Sequence, residues 1–265
     1  MIIDIHTHVD DEELYLSYMR KTYKMVDLAF VLHWYKDDLA DIAKFVATKP
    51  NLRLIAGVDI DGTDHVQKQL EIIERLFEQK KIIGIKLYPG YQHFYVSDVR
   101  ITPVAELCQK YNKPLVIHGG DVYDIENEAL LKYSNSIHVD ELAMKFPGLK
   151  IVIAHFGFPY LLECANVVSK NKNVYTDISG TIEDDFPRKE AISLFKEYRR
   201  DLQRVFNYFP DIKKKVMFGT DFGNDTGENI PYNEIDLYLE LVKQLFSKTE
   251  QRHVFAELAK KVFLD

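Results

Sequence analysis

Eight short runs of apolar, β-branched residues, each followed by a helical stretch, constrain this chain more than any other feature. The runs are Ile2–His6, Val26–Leu32, Leu52–Val58, Ile82–Leu87, Pro114–His118, Lys150–His155, Asn173–Ile178 and Lys215–Thr220. Most are apolar nearly throughout, the pattern of parallel strands covered on both faces rather than of strands with one wet face. Between them, residues 66–79 place Leu70, Ile73, Leu76 and Phe77 on one helical stripe, and residues 140–146 and 235–246 have the same character. Eight such alternations without hairpin signals predict a (β/α)8 barrel. An open doubly wound sheet competes with it, but the first strand is followed by HTHVDDEE, not by a glycine-rich nucleotide turn.

The chain has 265 residues, and a barrel of this kind typically needs about 250. No Gly/Ser/Pro-rich linker or repeat divides it, so residues 1–265 are expected to form one domain. With 46% apolar and 28% charged residues, it has the composition of a chain that buries a full core. Lys+Arg number 34 against 41 Asp+Glu, a net charge of −7 spread along the sequence. That balance argues against nucleic acid or an anionic membrane as the main partner and leaves a small molecule. Homo-oligomers stay open. Runs such as Lys213–Lys215 are expected to be solvated faces. The two cysteines, Cys108 and Cys164, lack CxxC spacing and read as reduced structural thiols. No apolar run of ~18 residues could span a bilayer, and Asp4 and His6 interrupt any signal-like start. A cytoplasmic location is the expectation.

The chemistry lies where the strands end. Residues 4–8 read Asp-Ile-His-Thr-His, and alternation along a strand puts His6 and His8 on one side. The fifth strand ends in His118, the sixth in His155 and the eighth in Asp221, while the fourth carries Lys86. In a parallel barrel these C-terminal ends converge on one face. Four imidazoles and a carboxylate meeting there suit a divalent metal, zinc above all. His33 is expected to pack or cap, and His65, His138 and His253 to be solvated. Asp177 is expected to orient a neighbouring histidine or to pair within the barrel rather than to bind metal. Trp34 and the many Tyr and Phe could wall the pocket or simply pack.

The order of these motifs resembles the amidohydrolase superfamily, specifically its amidohydrolase-related group of TIM-barrel metal-dependent hydrolases. The marks are DIHTH at 4–8, GIKLYPGYQ at 84–92, VIHGG at 116–120, FPGLKIVIAHFG at 146–157, NVYTDISG at 173–180 and FGTDFG at 218–223. The likeness implies that His6, His8, His118 and Asp221 bind the principal metal. It makes His155 a second-metal ligand or a metal-free catalytic imidazole. Lys86 is then either carboxylated and bridges two metals, joined by His155, or holds an anionic group of the substrate. KLYP at 86–89 looks like the corresponding stretch of dihydroorotases, but Val-Asp-Asp-Glu after His8 lacks the arginine those enzymes place on the substrate carboxylate. Lys86, Tyr88, Gln92 and His93 are the substrate-contact candidates, and Asp221 and His155 the catalytic ones. The resemblance implies a hydrolase acting on an amide, lactone or ester-like bond with one or two metal ions. Its alternative is a nonoxidative decarboxylase of a small carboxylated ring compound.

Overall fold

A computed structural model describes residues 1–60, 63–122, 124, 128–181, 187–223 and 233–265. Its eight strands are β1 (Ile3–Thr7), β2 (Leu28–Leu32), β3 (Leu52–Gly57), β4 (Ile82–Leu87), β5 (Leu115–Ile117), β6 (Ile151–Ile153), β7 (Val174–Asp177) and β8 (Val216–Met217). They form one parallel sheet in the order β1 to β8, each beside its sequence neighbours. A doubly wound sheet would reverse that order partway; this one closes instead. Across the seam Ile5 N donates to Phe218 O, Asp221 N to His6 O and His8 N to Phe222 O. The chain is a TIM barrel, as the alternation predicted.

Helices α1 (Glu12–Lys21), α2 (Leu39–Ala47), α3 (Thr63–Glu78) and α4 (Thr102–Lys110) cover the first half. The second half carries α5 (Leu131–Ser134), α6 (His138–Lys145), α7 (Leu161–Lys170), α8 (Arg188–Tyr208), α9 (Ile235–Leu245) and α10 (Lys248–Arg252). Their starts follow ordinary capping chemistry: Asp11 accepts from Leu14 N ahead of α1, Asp38 from Ala40 N and Asp41 N ahead of α2.

Two apolar layers result. Outward residues such as Val31, Leu54, Ile117 and Ile153 meet Ile73, Val104, Leu142 and Val168 of the helices. A second cluster takes residues from every strand: Ile3, Ile5, Phe30, Ile55, Ile83, Val116, Val152, Tyr175 and Met217. It fills the barrel, and Ala256, Leu258, Ala259, Val262 and Phe263 of the last helical segment join it and close the end opposite the polar strand termini. The interior is a packed core.

Two irregularities aim the functional side chains. On β1, Asp4 pairs with Ala29 but Thr7 with Val31, so three steps on β1 oppose two on β2. On β4, Ile82 pairs with Leu54 but Ile85 with Ala56, the same count of three against two. Such a bulge reverses which face later residues occupy. Ile3 and Ile5 fill the barrel while Asp4 meets Tyr18 of α1, so strict alternation would send His6 outward too. The bulge turns His6 inward. On β4 it does the same for Lys86 after Ile83.

Candidate metal centre

His6 and His8 leave β1 toward the mouth, and Asp221 follows β8 in a left-handed backbone conformation, φ 66°. His6 Nε2 lies 3.2 Å and His8 Nε2 3.3 Å from the same oxygen, Asp221 Oδ1. The three ligand atoms lie within 4.8 Å of one another. Tetrahedral zinc bound at about 2.0 Å sets its ligand atoms about 3.3 Å apart, so the spacing fits.

Electrostatics support the same occupant. Burial pushes His6 below its ordinary value, and the charge of Lys86 adds to it. A neutral His6 has one ring proton, yet it faces carboxylates on both nitrogens: Asp177 Oδ2 at 3.1 Å from Nδ1 and Asp221 Oδ1 on Nε2. One contact therefore sets lone pair against lone pair, which a divalent cation between the ligands relieves. Asp221 is held far below the usual carboxylate range: burial would raise it, but His6, His155 and His8 outweigh that.

Lys86 sits in this mouth with no exposed surface, and its Nζ has no hydrogen-bond partner among the described residues. Burial lowers its pKa to about 8, against the raising effect of Asp177 and Asp221. The Tyr88 ring face lies 5.3 Å from Nζ, but a buried amine without a hydrogen bond is costly, and either carboxylation or an anionic ligand answers the cost. His155 follows β6 in a turn where both it and Phe156 have positive φ. Burial lowers its pKa to about 3. Its ring centre is 4.6 Å from that of His6 and 4.9 Å from that of His118.

His118 stands beside the cluster but outside the tight triad, because its Nε2 lies 2.8 Å from the Asp121 carbonyl. Burial, with His155 and Lys86 adding to it, holds it neutral. Asp177, buried, takes His6 Nδ1 on one oxygen and His155 N on the other, and with His6 and His155 it forms a second group whose ligand atoms lie within 4.8 Å of one another.

The substrate-contact candidates fare differently. The Gln92 side chain is spent on backbone, accepting from Ile60 N and donating to Val58 O, with only 3% of the residue exposed. An amide bonded at both ends in this way supports the loop after β4. Tyr88 likewise donates its hydroxyl to His33 O, leaving only its ring face. His93 is exposed, stacked on Tyr133 with Nε2 near Glu128 O, away from the histidine cluster. His33 packs, accepting from Gly57 N and meeting Asp37 O.

One residue escaped the sequence, and one ambiguity it left is now placed. Ser179 is buried against His6, His155 and Asp177, and its only sequence signal is its place two residues after Asp177 on the same strand face. Trp34, Tyr35, Tyr88 and Tyr91 form a ring cluster from the ends of β2 and β4, and Tyr91 stands edge-on to His118 at 4.9 Å.

A closed parallel barrel with an HxH pair at the end of its first strand and a carboxylate after its eighth is a barrel whose mouth could hold a cation. The chain belongs to the amidohydrolase family, whose model matches residues 3–264. A dihydroorotase from Yersinia pseudotuberculosis is 28% identical over 171 residues, covering 57% of this chain. The chain spans about half the length of that relative, 47%. Among solved structures it resembles a probable 2-pyrone-4,6-dicarboxylic acid hydrolase from Acinetobacter baumannii, TM-score 0.71 at 15% identity, covering 100% of this chain and 99% of that one. A Burkholderia multivorans amidohydrolase with bound zinc gives 0.66 at 14%, with coverage of 100% and 99%. The 5-carboxyvanillate decarboxylase from Sphingomonas paucimobilis gives 0.64 at 16%, with coverage of 94% and 82%. At such identities the structural likenesses show the fold.

Proposed function

We propose that this protein is a metal-dependent hydrolase that opens an amide, lactone or ester-like bond of a small molecule with an activated water. The observation that carries the reading is the convergence of His6 Nε2 and His8 Nε2 on Asp221 Oδ1. His6, His8 and Asp221 would hold the ion, with His118 completing the set after releasing the Asp121 carbonyl. Lys86 and His155 would hold a second ion if Lys86 is carboxylated. A bound divalent cation, zinc foremost, lowers the pKa of water from about 15.7 to about 7 and polarises a carbonyl.

The chain's own groups supply the rest. Asp221, ionised at any working pH, accepts the water's proton and returns it to the leaving nitrogen or oxygen. His155, neutral because it is buried, stands beside His6 and His118 where a scissile carbonyl would be held. The named activities of the dihydroorotase relative and of the Acinetobacter neighbour are hydrolytic and support this reading. The second reading, nonoxidative decarboxylation, draws on the ring cluster of Trp34, Tyr88 and Tyr91, which suits a flat carboxylated ring, and on the Sphingomonas likeness.

The test reconstitutes the protein with zinc or manganese and screens cyclic amides, lactones and aromatic carboxylates. Asp221→Asn keeps an oxygen ligand but loses the base, so turnover should fall about 10²–10⁴-fold while metal content falls less. Undiminished turnover would move the base to His155. A folded protein that takes up no divalent ion overturns the reading.

A further inference from the structure

Ser179 is a hydroxyl with no access to water, so all its hydrogen bonds must be found inside the protein. Its Oγ lies 2.5 Å from Asp177 Oδ1, 3.1 Å from His6 Nδ1 and 3.0 Å from His155 Nδ1. A serine oxygen donates once and accepts at most twice. Two oxygens 2.5 Å apart need a proton between them. Asp177 also receives His155 N and Ser179 N on that same oxygen, the environment of an ionised carboxylate. The proton of the short bond is therefore the serine's own. With its one donor used on Asp177, Ser179 can only accept from the two imidazoles. Each must then carry its proton on Nδ1.

We propose that Ser179 is a positioning residue that, oriented by Asp177, fixes His155 in the Nδ1–H tautomer, while Asp177 Oδ2 holds His6 in the same tautomer, leaving Nε2 of each as the lone-pair nitrogen. For His6, Nε2 is the atom facing Asp221. The Asp177–Ser179 pair thus sets the tautomer of two histidines from different strands. The backbone is shaped for this arrangement. Gly180, at φ +69°, runs so close to His155 that an added Cβ would come within 2.2 Å of Nδ1. At Gly219 a Cβ would fall 3.0 Å from that of His6 and 3.3 Å from that of Ser179. His6 has a second acceptor in Asp177 Oδ2, whereas Ser179 is the partner shown for His155 Nδ1. The two histidines should therefore respond differently to loss of the hydroxyl.

The inference rests on the metal-site reading for its consequence, but its first test needs neither metal nor substrate. Long-range ¹H–¹⁵N spectra of metal-free, ¹⁵N-histidine-labelled protein report the tautomer of each imidazole. His6 and His155 are assigned by the signals lost in His6→Gln and His155→Gln. Both should be Nδ1–H in the unmodified protein. In Ser179→Ala, His155 should move to Nε2–H while His6 keeps Nδ1–H, and zinc affinity should fall about 10–100-fold, the usual effect of losing an outer partner of a metal ligand. Ser179→Thr, which keeps the hydroxyl, should restore the His155 tautomer and the zinc affinity. An Nε2–H signal for His155 in the unmodified protein overturns the proposal whether or not the Ser179 variants fold. A His155 tautomer unchanged in folded Ser179→Ala overturns the role of Ser179. Correct tautomers in a protein that binds no metal would instead sink the proposed function and leave this inference standing.

Discussion

At the scale of single residues, the ligand candidates were readable because a histidine, lysine or aspartate closes an otherwise apolar run, and a parallel barrel brings all such ends to one face. What the sequence withheld is the direction of polar groups within a loop. Gln92 follows β4 as a substrate-binding residue would, yet its amide holds Val58 and Ile60. Ser179 reads as ordinary serine until three partners surround it. Lys86 was visible as an ambiguity, and its environment sharpens the question. With a pKa near 8, about half its amine is neutral at pH 8, and the neutral amine is the form that attacks carbon dioxide. Nitrogen bonds to the carbon, one proton leaves, and a carbamate anion replaces the ammonium. Native intact-mass measurement in bicarbonate buffer should show this adduct increasing from pH 7 to 9, together with two metal ions, if the hydrolase is binuclear. One metal with an unmodified lysine, and a Lys86→Ala variant that keeps metal but loses substrate affinity, would favour the decarboxylase-like reading. If Lys86→Ala changes neither metal content nor turnover, both roles for this lysine fail.

At the scale of elements, strand positions were legible and strand geometry was not. Pattern alone does not reveal that β1 and β4 each carry an extra residue ahead of their functional side chain, because a bulge leaves composition untouched. Nor does it show what the outward Asp4 does. Its carboxyl takes Tyr18 Oη and Thr220 Oγ1 on one oxygen and Thr220 N on the other, joining β1 to α1 and to the chain after β8. Burial raises its pKa from 3.8 to about 7, and those hydrogen bonds offset only part of the rise. The folded protein thus keeps this proton up to about pH 7, while the unfolded chain gives it up near pH 4. Between those values the folded state binds more protons, so Asp4's contribution is fully present below pH 4 and declines as pH rises toward 7. Asp4→Asn removes the slope. Urea unfolding of metal-free protein should show the wild type losing ground to this variant from pH 4 to 8. The ceiling is on the order of 4 kcal/mol, from a shift of about three units. A difference that stays flat would mean that Asp4 is ionised throughout.

At the scale of the whole molecule, the fold and the cation site are one construction. His6 and His8 on β1 and Asp221 after β8 come together only when the barrel closes, since the seam bonds Asp221 N to His6 O and His8 N to Phe222 O. The unfolded chain holds two of these ligands more than two hundred positions from the third, so an ion that needs all three binds the closed barrel and not the open chain. Binding must then stabilise folding by mass action, about 2.7 kcal/mol when free ion is at 100 times its dissociation constant. For a chain this long that corresponds to a rise in Tm of roughly 5–10 °C. Zinc should produce such a rise in chelator-treated protein and excess chelator should reverse it. The His6→Ala, His8→Ala double variant should fold and show no zinc-dependent rise, whatever its own Tm. Equal zinc-dependent shifts in both proteins would place the ion elsewhere and separate the barrel's closure from its chemistry.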